Sequence, residues 1–134
     1  MDFITGGAYN GMLDWAMENY DSDCTILQAG QEYKDVHTNI LIVDKLEEII
    51  YKYWNDQEDG TKQWREYYQA LMKWERTATS HQLIMIGTDI TGGIVPVEQK
   101  DRLWRDRLGF IYQQLTKDAE CVFRIWFGIS QQLK

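Results

Sequence analysis

The chain has 134 residues, a length that fits one domain better than two. Apolar residues make up 44% of it, enough to build a core and too many for a long disordered tail. Fourteen Lys and Arg (14) against 21 Asp and Glu give a formal charge of −7, which repels phosphate backbones and disfavours nucleic-acid binding.

Met1 to Tyr20 lacks a basic, then apolar, leader pattern, so no signal peptide is expected. No run of about 18 apolar residues occurs, so no membrane span is expected either. These readings predict a cytoplasmic protein. The 2 cysteines, Cys24 and Cys121, stand too far apart for a zinc or redox motif and are expected to be small packed thiols.

Asp2 to Thr5 is a short apolar run ahead of Gly6 and Gly7, and reads as a strand. Met12, Trp15, Ala16 and Tyr20 then fall at helical spacing. Cys24 to Ala29 reads as a second strand closed by Gly30. Thr38 to Asp44 is nearly all apolar, as suits a strand buried on both faces of a parallel sheet. Leu46, Ile49, Ile50 and Tyr53 share a helical face, and Asn55 to Gly60 is a polar break. Trp64, Tyr67, Tyr68, Leu71 and Trp74 mark a further amphipathic helix, their aromatic stripe belonging to the core or to a subunit contact. Gln82 to Thr88 reads as a strand and Asp89 to Pro96 as a loop. Leu103 to Leu115 reads as the longest helix, and Glu120 to Phe127 as a last strand before Gly128 and a short tail. Alternating strands and helices predict an α/β fold with a mostly parallel sheet flanked by helices, as one domain over residues 1–134.

Ligands of such sheets sit beyond the carboxyl ends of the strands. The segment Gly6, Gly7, Ala8, Tyr9, Asn10, Gly11, Met12, Leu13 falls at such an end. It has the two glycines of a G-x-x-x-x-G-K-[ST] phosphate loop, at Gly6 and Gly11. Met12 and Leu13 stand where that motif has lysine and a hydroxyl. Neither can neutralise a phosphate or bind Mg²⁺. The loop amides and the helix N-terminus could still hold an anion, though a plain strand-to-helix turn would use the same glycines. Asp44 ends its strand as a Walker-B acid does, with helix capping as the competing role.

The segment from Gly87 to Lys134 resembles the adenosylcobinamide kinase/adenosylcobinamide-phosphate guanylyltransferase family of cobalamin biosynthesis. Gly93, Ile94, Val95 and Pro96 match the family's G-x-G-I-V-P loop. Trp104, Arg105, Asp106, Gly109 and Gln113 follow its F-R-D-x-x-G-x-x-N-Q helix, with Trp104 for Phe and Tyr112 for Asn. Gly128, Ile129 and Lys134 match its tail. Thr5, Gly6, Gly7, Ala8 and Gly11 agree with its opening T-G-G-A-R-S-G-K-S, and Val43 to Leu46 stand where its L-D-C-L-T motif falls.

The resemblance implies a P-loop NTPase-like fold, shortened between its second and third strands. There the family carries a helical segment with the histidine that takes up GMP, and this chain has only Gly30 to His37. That role is not assigned to His37, and His81 sits in a polar turn. By resemblance Asp89 keeps an acid ahead of the glycine loop. Arg102 and Arg105 lie near nucleotide or subunit contacts, or else form a charged face with Asp101 and Asp106. The expectation is a degenerate family member that binds a nucleotide or anion, GTP or ATP with Mg²⁺, and has no catalytic or metal-ligating residue of its own. An active transferase of cobalamin biosynthesis is the alternative. The resemblance also implies a homo-oligomer, with a trimer as the family's form.

Overall fold

The computed structural model describes every residue except Ser22, Gly30, Glu32, Tyr33, Asp35 and 56–59, and only the backbone of Asn55 and Gly60. Strands β1 (Asp2–Gly6), β2 (Cys24–Leu27), β3 (Ile40–Val43), β4 (Gln82–Thr88), β5 (Cys121–Trp126) and β6 (Ile129–Gln132) form one sheet in the order β2-β3-β4-β1-β5-β6. All neighbouring pairs are parallel except the hairpin β5–β6. The helices among the described residues are α1 (Met12–Asn19), α2 (Leu46–Asn55), α3 (Gly60–Arg76) and α4 (Gln99–Asp118). The α/β architecture follows the alternation of the sequence. The polar break expected between α2 and α3 falls on 56–59, and the turn expected at Gly30 falls on that residue alone; both lie outside the described residues.

The strands are apolar on both faces, and consecutive residues enter different cores. Phe3, Leu41, Val43, Leu83 and Met85 pack with Leu46, Ile49, Ile50, Trp64, Leu71, Leu108 and Leu115 of α2, α3 and α4. Ile4, Ile40, Ile42, Ile84, Ile86 and Ile125 pack on the other face with Ala16 of α1. The period of two that separates these sets is the pleat of a strand. Three helices thus cover one face and the eight-residue α1 covers the other.

The aromatic stripe belongs to the core. Trp64 is buried, and Tyr67, Tyr68 and Trp74 pack against the same cluster. Trp64 stacks on Tyr68 with ring centroids 5.9 Å apart. Burial pushes the Tyr67 hydroxyl up to about 12. Cys24 and Cys121 are free and half-buried, and burial with the charges of Asp23 and Asp21 raises the Cys24 thiol.

One element was not expected. The tail after Gly128 pairs back as β6, with Trp126 opposite Ile129 and Phe123 opposite Gln132. Its turn uses left-handed backbone at Phe127 (φ 48°) and Gly128 (φ 80°), as a two-residue hairpin loop requires.

Candidate functional site

The cleft at the carboxyl ends of β1, β3 and β4 is built first by the loop after β1. Gly6 lies against β5 so closely that a Cβ would stand 2.4 Å from the Ile125 carbonyl oxygen. Only glycine fits there. Tyr9 turns the chain at φ 63° and points its side chain into solvent. Asn10 does the opposite. It is buried, and its Nδ2 donates to the Ile125 carbonyl at 3.1 Å. Its own carbonyl accepts from the Gly128 amide at 2.9 Å, so the loop is tied to the turn of the last hairpin. Gly11 takes φ 77° as the residue that opens α1, and its carbonyl accepts from the Trp15 amide at 2.9 Å. The amides of the first turn of α1 face the cleft with the positive end of the helix dipole. Asp14 in that turn already offsets part of it.

Met12 is half-buried against the Ile4 and Ile125 cluster, as is Leu13. The Met12 sulfur lies 3.4 Å from where a Gly6 Cβ would be, so the side chain folds back under the loop.

Asp44 is 7% exposed at the end of β3. Gln28 Nε2 donates to its Oδ2 at 3.2 Å. Burial raises its carboxyl above the usual carboxylate range, Glu47 adds to the rise, and the hydrogen bonds from Gln28 and the Lys45 amide offset part of it. The head of α2 is supplied by the next residue, for the Lys45 carbonyl accepts from the Glu48 and Ile49 amides. Lys45 does this in a left-handed conformation, φ 53°, which costs a side-chain-bearing residue roughly 1–2 kcal/mol.

The cleft, about 470 Å³, brings together Ala8, Tyr9, Asn10, Gly11, Met12, Leu13 and Asp44. It includes Lys45 and Thr88, and adds residues the sequence did not single out: Asp14, Gln28, Glu47 and Glu48. Glu47 has a defined task. Its Oε2 accepts from the Thr88 amide at 2.9 Å and lies 3.5 Å from the buried Tyr112 hydroxyl, which donates to the Thr88 carbonyl at 3.1 Å. Burial, with the charges of Glu47 and Asp89, holds that phenol well above its ordinary value. The acid is thereby fixed at the mouth of β4. Among the described residues no group of three or more His, Cys, Asp or Glu converges to hold a metal. A Mg²⁺ here would be held by Asp44 together with phosphate oxygens, an arrangement that suits its hard-oxygen preference.

Asp89 lies beside the cleft. Its amide donates to the Gly6 carbonyl at 2.8 Å, and its carboxylate accepts from the Thr91 amide at 2.8 Å. Gly93, Pro96, Arg102, Arg105 and Asp106 form a second unit next to it. Gly93 turns the loop at φ 94°. Arg102 donates to the Pro96 carbonyl at 3.0 Å and to that of Val97, and Arg105 to the Ile94 carbonyl at 3.1 Å and to that of Thr91. The guanidiniums therefore brace the exposed loop that leads into α4. Asp106 is exposed. His81 is structural: it stacks on Trp74 at 4.3 Å, and its Nδ1 lies 3.0 Å from the Trp74 carbonyl oxygen.

No helix among the described residues is long and apolar enough to cross a membrane. No curated protein matches the chain at a significant level. A family model does: cobinamide kinase / cobinamide phosphate guanyltransferase, over residues 13–133. That span takes in α1 to β6 with Asp44, Asp89 and the braced loop, and it begins at Leu13, so β1 and most of the glycine loop precede it. A match of this extent places the chain in the cobinamide kinase/cobinamide phosphate guanyltransferase family.

Proposed function

We propose that the chain is a nucleotide- or anion-binding member of this family that performs neither transferase reaction, a regulatory or interaction protein built on the enzyme's frame. The observation that carries the reading is the pair Met12 and Leu13. They stand where a phosphate loop has its lysine and its Mg²⁺-binding hydroxyl, and the Met12 side chain is packed under the loop. Losing one preorganised charge-stabilising donor costs about 3–4 kcal/mol of transition-state stabilisation in comparable sites, and here two contacts are gone. Four acids line the cleft, Asp14, Asp44, Glu47 and Glu48, against a single cation, Lys45, among its described lining residues. Mg²⁺ bound with the phosphates would offset part of that charge, and this supports GTP or ATP with Mg²⁺ as the ligand. The guanylyl transfer needs a histidine held against the α-phosphate. His81 is engaged by Trp74, and His37 precedes β3 at the amino end of the sheet, away from the cleft.

One observation favours the alternative of an active transferase: a cation, Lys45, does line the cleft. The test is direct. Adenosylcobinamide incubated with ATP or GTP and the protein is expected to gain no phosphate, and labelled GTP is expected to leave no label on the chain. Calorimetry is expected to show GTP binding in the presence of Mg²⁺, tightened about tenfold or more by Met12→Lys with Leu13→Ser. Turnover above a protein-free control would establish the alternative.

A further inference from the structure

We infer that Lys45 is the residue through which the cleft holds the phosphates of its ligand, in place of the missing loop lysine. This rests on reading the cleft as a nucleotide or anion site. Three independent features of the residue converge. Among the described residues that line the cleft it alone carries a fixed positive charge. Its backbone sits at φ 53°, a conformation in which glycine or asparagine is at ease and lysine is not. The fold therefore has no use for a lysine at that turn as such, and backbone strain of this kind gathers at functional positions. Finally, the ammonium is only lightly held. Its Nζ lies 3.5 Å from Glu48 Oε1, with both side chains about half exposed (51% and 55%). Such a pair contributes little, so the ammonium can leave Glu48 for a phosphate oxygen at small cost. Asp44, the residue before it, would be the oxygen donor for an accompanying Mg²⁺. The metal and the cation would then reach the phosphates from one strand end.

The proposal is tested by calorimetry of the full chain with GTP and Mg²⁺. Lys45→Gly suits the left-handed backbone and is expected to keep the melting temperature while weakening GTP about tenfold or more. Lys45→Arg is expected to stay within about threefold of the parent, since it keeps the charge. Glu48→Gln removes the competitor for the ammonium and is expected to tighten binding. Unchanged affinity in Lys45→Gly overturns the proposal and leaves the reading of the cleft standing. An equal loss in Lys45→Arg also overturns it, because a role that charge does not preserve is not phosphate binding. If the parent chain binds no GTP, the reading of the cleft falls, and this inference falls with it.

Discussion

Asp44 carries its charge where the fold gives it little water, and the consequence can be measured. An unfolded aspartate titrates near 4. In the fold, burial moves the carboxyl above that value, against the smaller opposing effect of Gln28 and the Lys45 amide. Between the two values the folded chain keeps a proton that the unfolded chain has released. Stability therefore falls as pH rises through that window, and the penalty is complete above the folded value. Asp44→Asn keeps an acceptor for Gln28 and removes the charge. It is expected to melt higher than the parent at pH 7, with the difference closing as pH falls to 4. Calorimetric scans at several pH values check this, and an equal or lower melting temperature at pH 7 would contradict it. Asp44 was legible from the sequence because an acid ending an apolar run is a local pattern. Glu47 and Gln28 were not. Their importance comes from where β2, α2 and β4 end relative to one another, and no spacing along the chain encodes that.

At the scale of elements, α4 and β4 are fitted through a single absence. Gly87 is on β4, and a Cβ there would stand 2.2 Å from the Tyr112 hydroxyl oxygen and 2.6 Å from its ring carbon. Tyr112 cannot step aside, since it is buried, lies edge-on to Phe3 at 5.1 Å, and bonds the end of β4. Gly87→Ala is expected to lower stability by about 1–3 kcal/mol, the usual cost of overpacking. Urea unfolding followed by fluorescence checks it, and a change under about 0.5 kcal/mol would show that the ring yields. Strands β1 and β4 and the helices were readable because their apolar periods are strong. β6 was not, since Ile129 to Gln132 is exposed throughout and shows no alternation. Helix α4 begins at Gln99 rather than near Leu103. Its first turn is polar, and the arginines that hold the loop against it use backbone carbonyls, which leave no mark on side-chain patterning.

The whole molecule is unevenly covered. The face under α1 has one short helix, while the link from β2 to β3, residues 28–39, has no helix among its described residues. Large apolar side chains also lie in the open. Ile94, Val95, Val97 and Leu103 are exposed around the braced loop, and Trp126, Phe127, Ile129 and Leu133 along the last hairpin. Small domains have little volume in which to hide such residues, and contiguous apolar surface marks association sites. From that surface we propose a discrete homo-oligomer, with a trimer as the form the sequence resemblance implies. Light scattering at micromolar concentration is expected to give a multiple of 15.9 kDa, and a value near 15.9 kDa would refute it. The aromatic side of α3 packs into the core, so we propose the loop before α4 and the hairpin as the contact surface.

The strand order also imposes a schedule on synthesis. β1 occupies the slot between β4 and β5, and Asp2 meets Cys121 across a sequence separation of 119. The first strand of this sheet to be translated thus waits for β4 and β5 before both its neighbours exist. Until β4 and β5 have been translated, Phe3 and Ile4, both enclosed in the finished sheet, lack the strands that flank them. Pairings so distant along the chain form slowly and leave sticky intermediates. The same central placement that encloses the start of the glycine loop leaves the first apolar segment uncovered until late in synthesis.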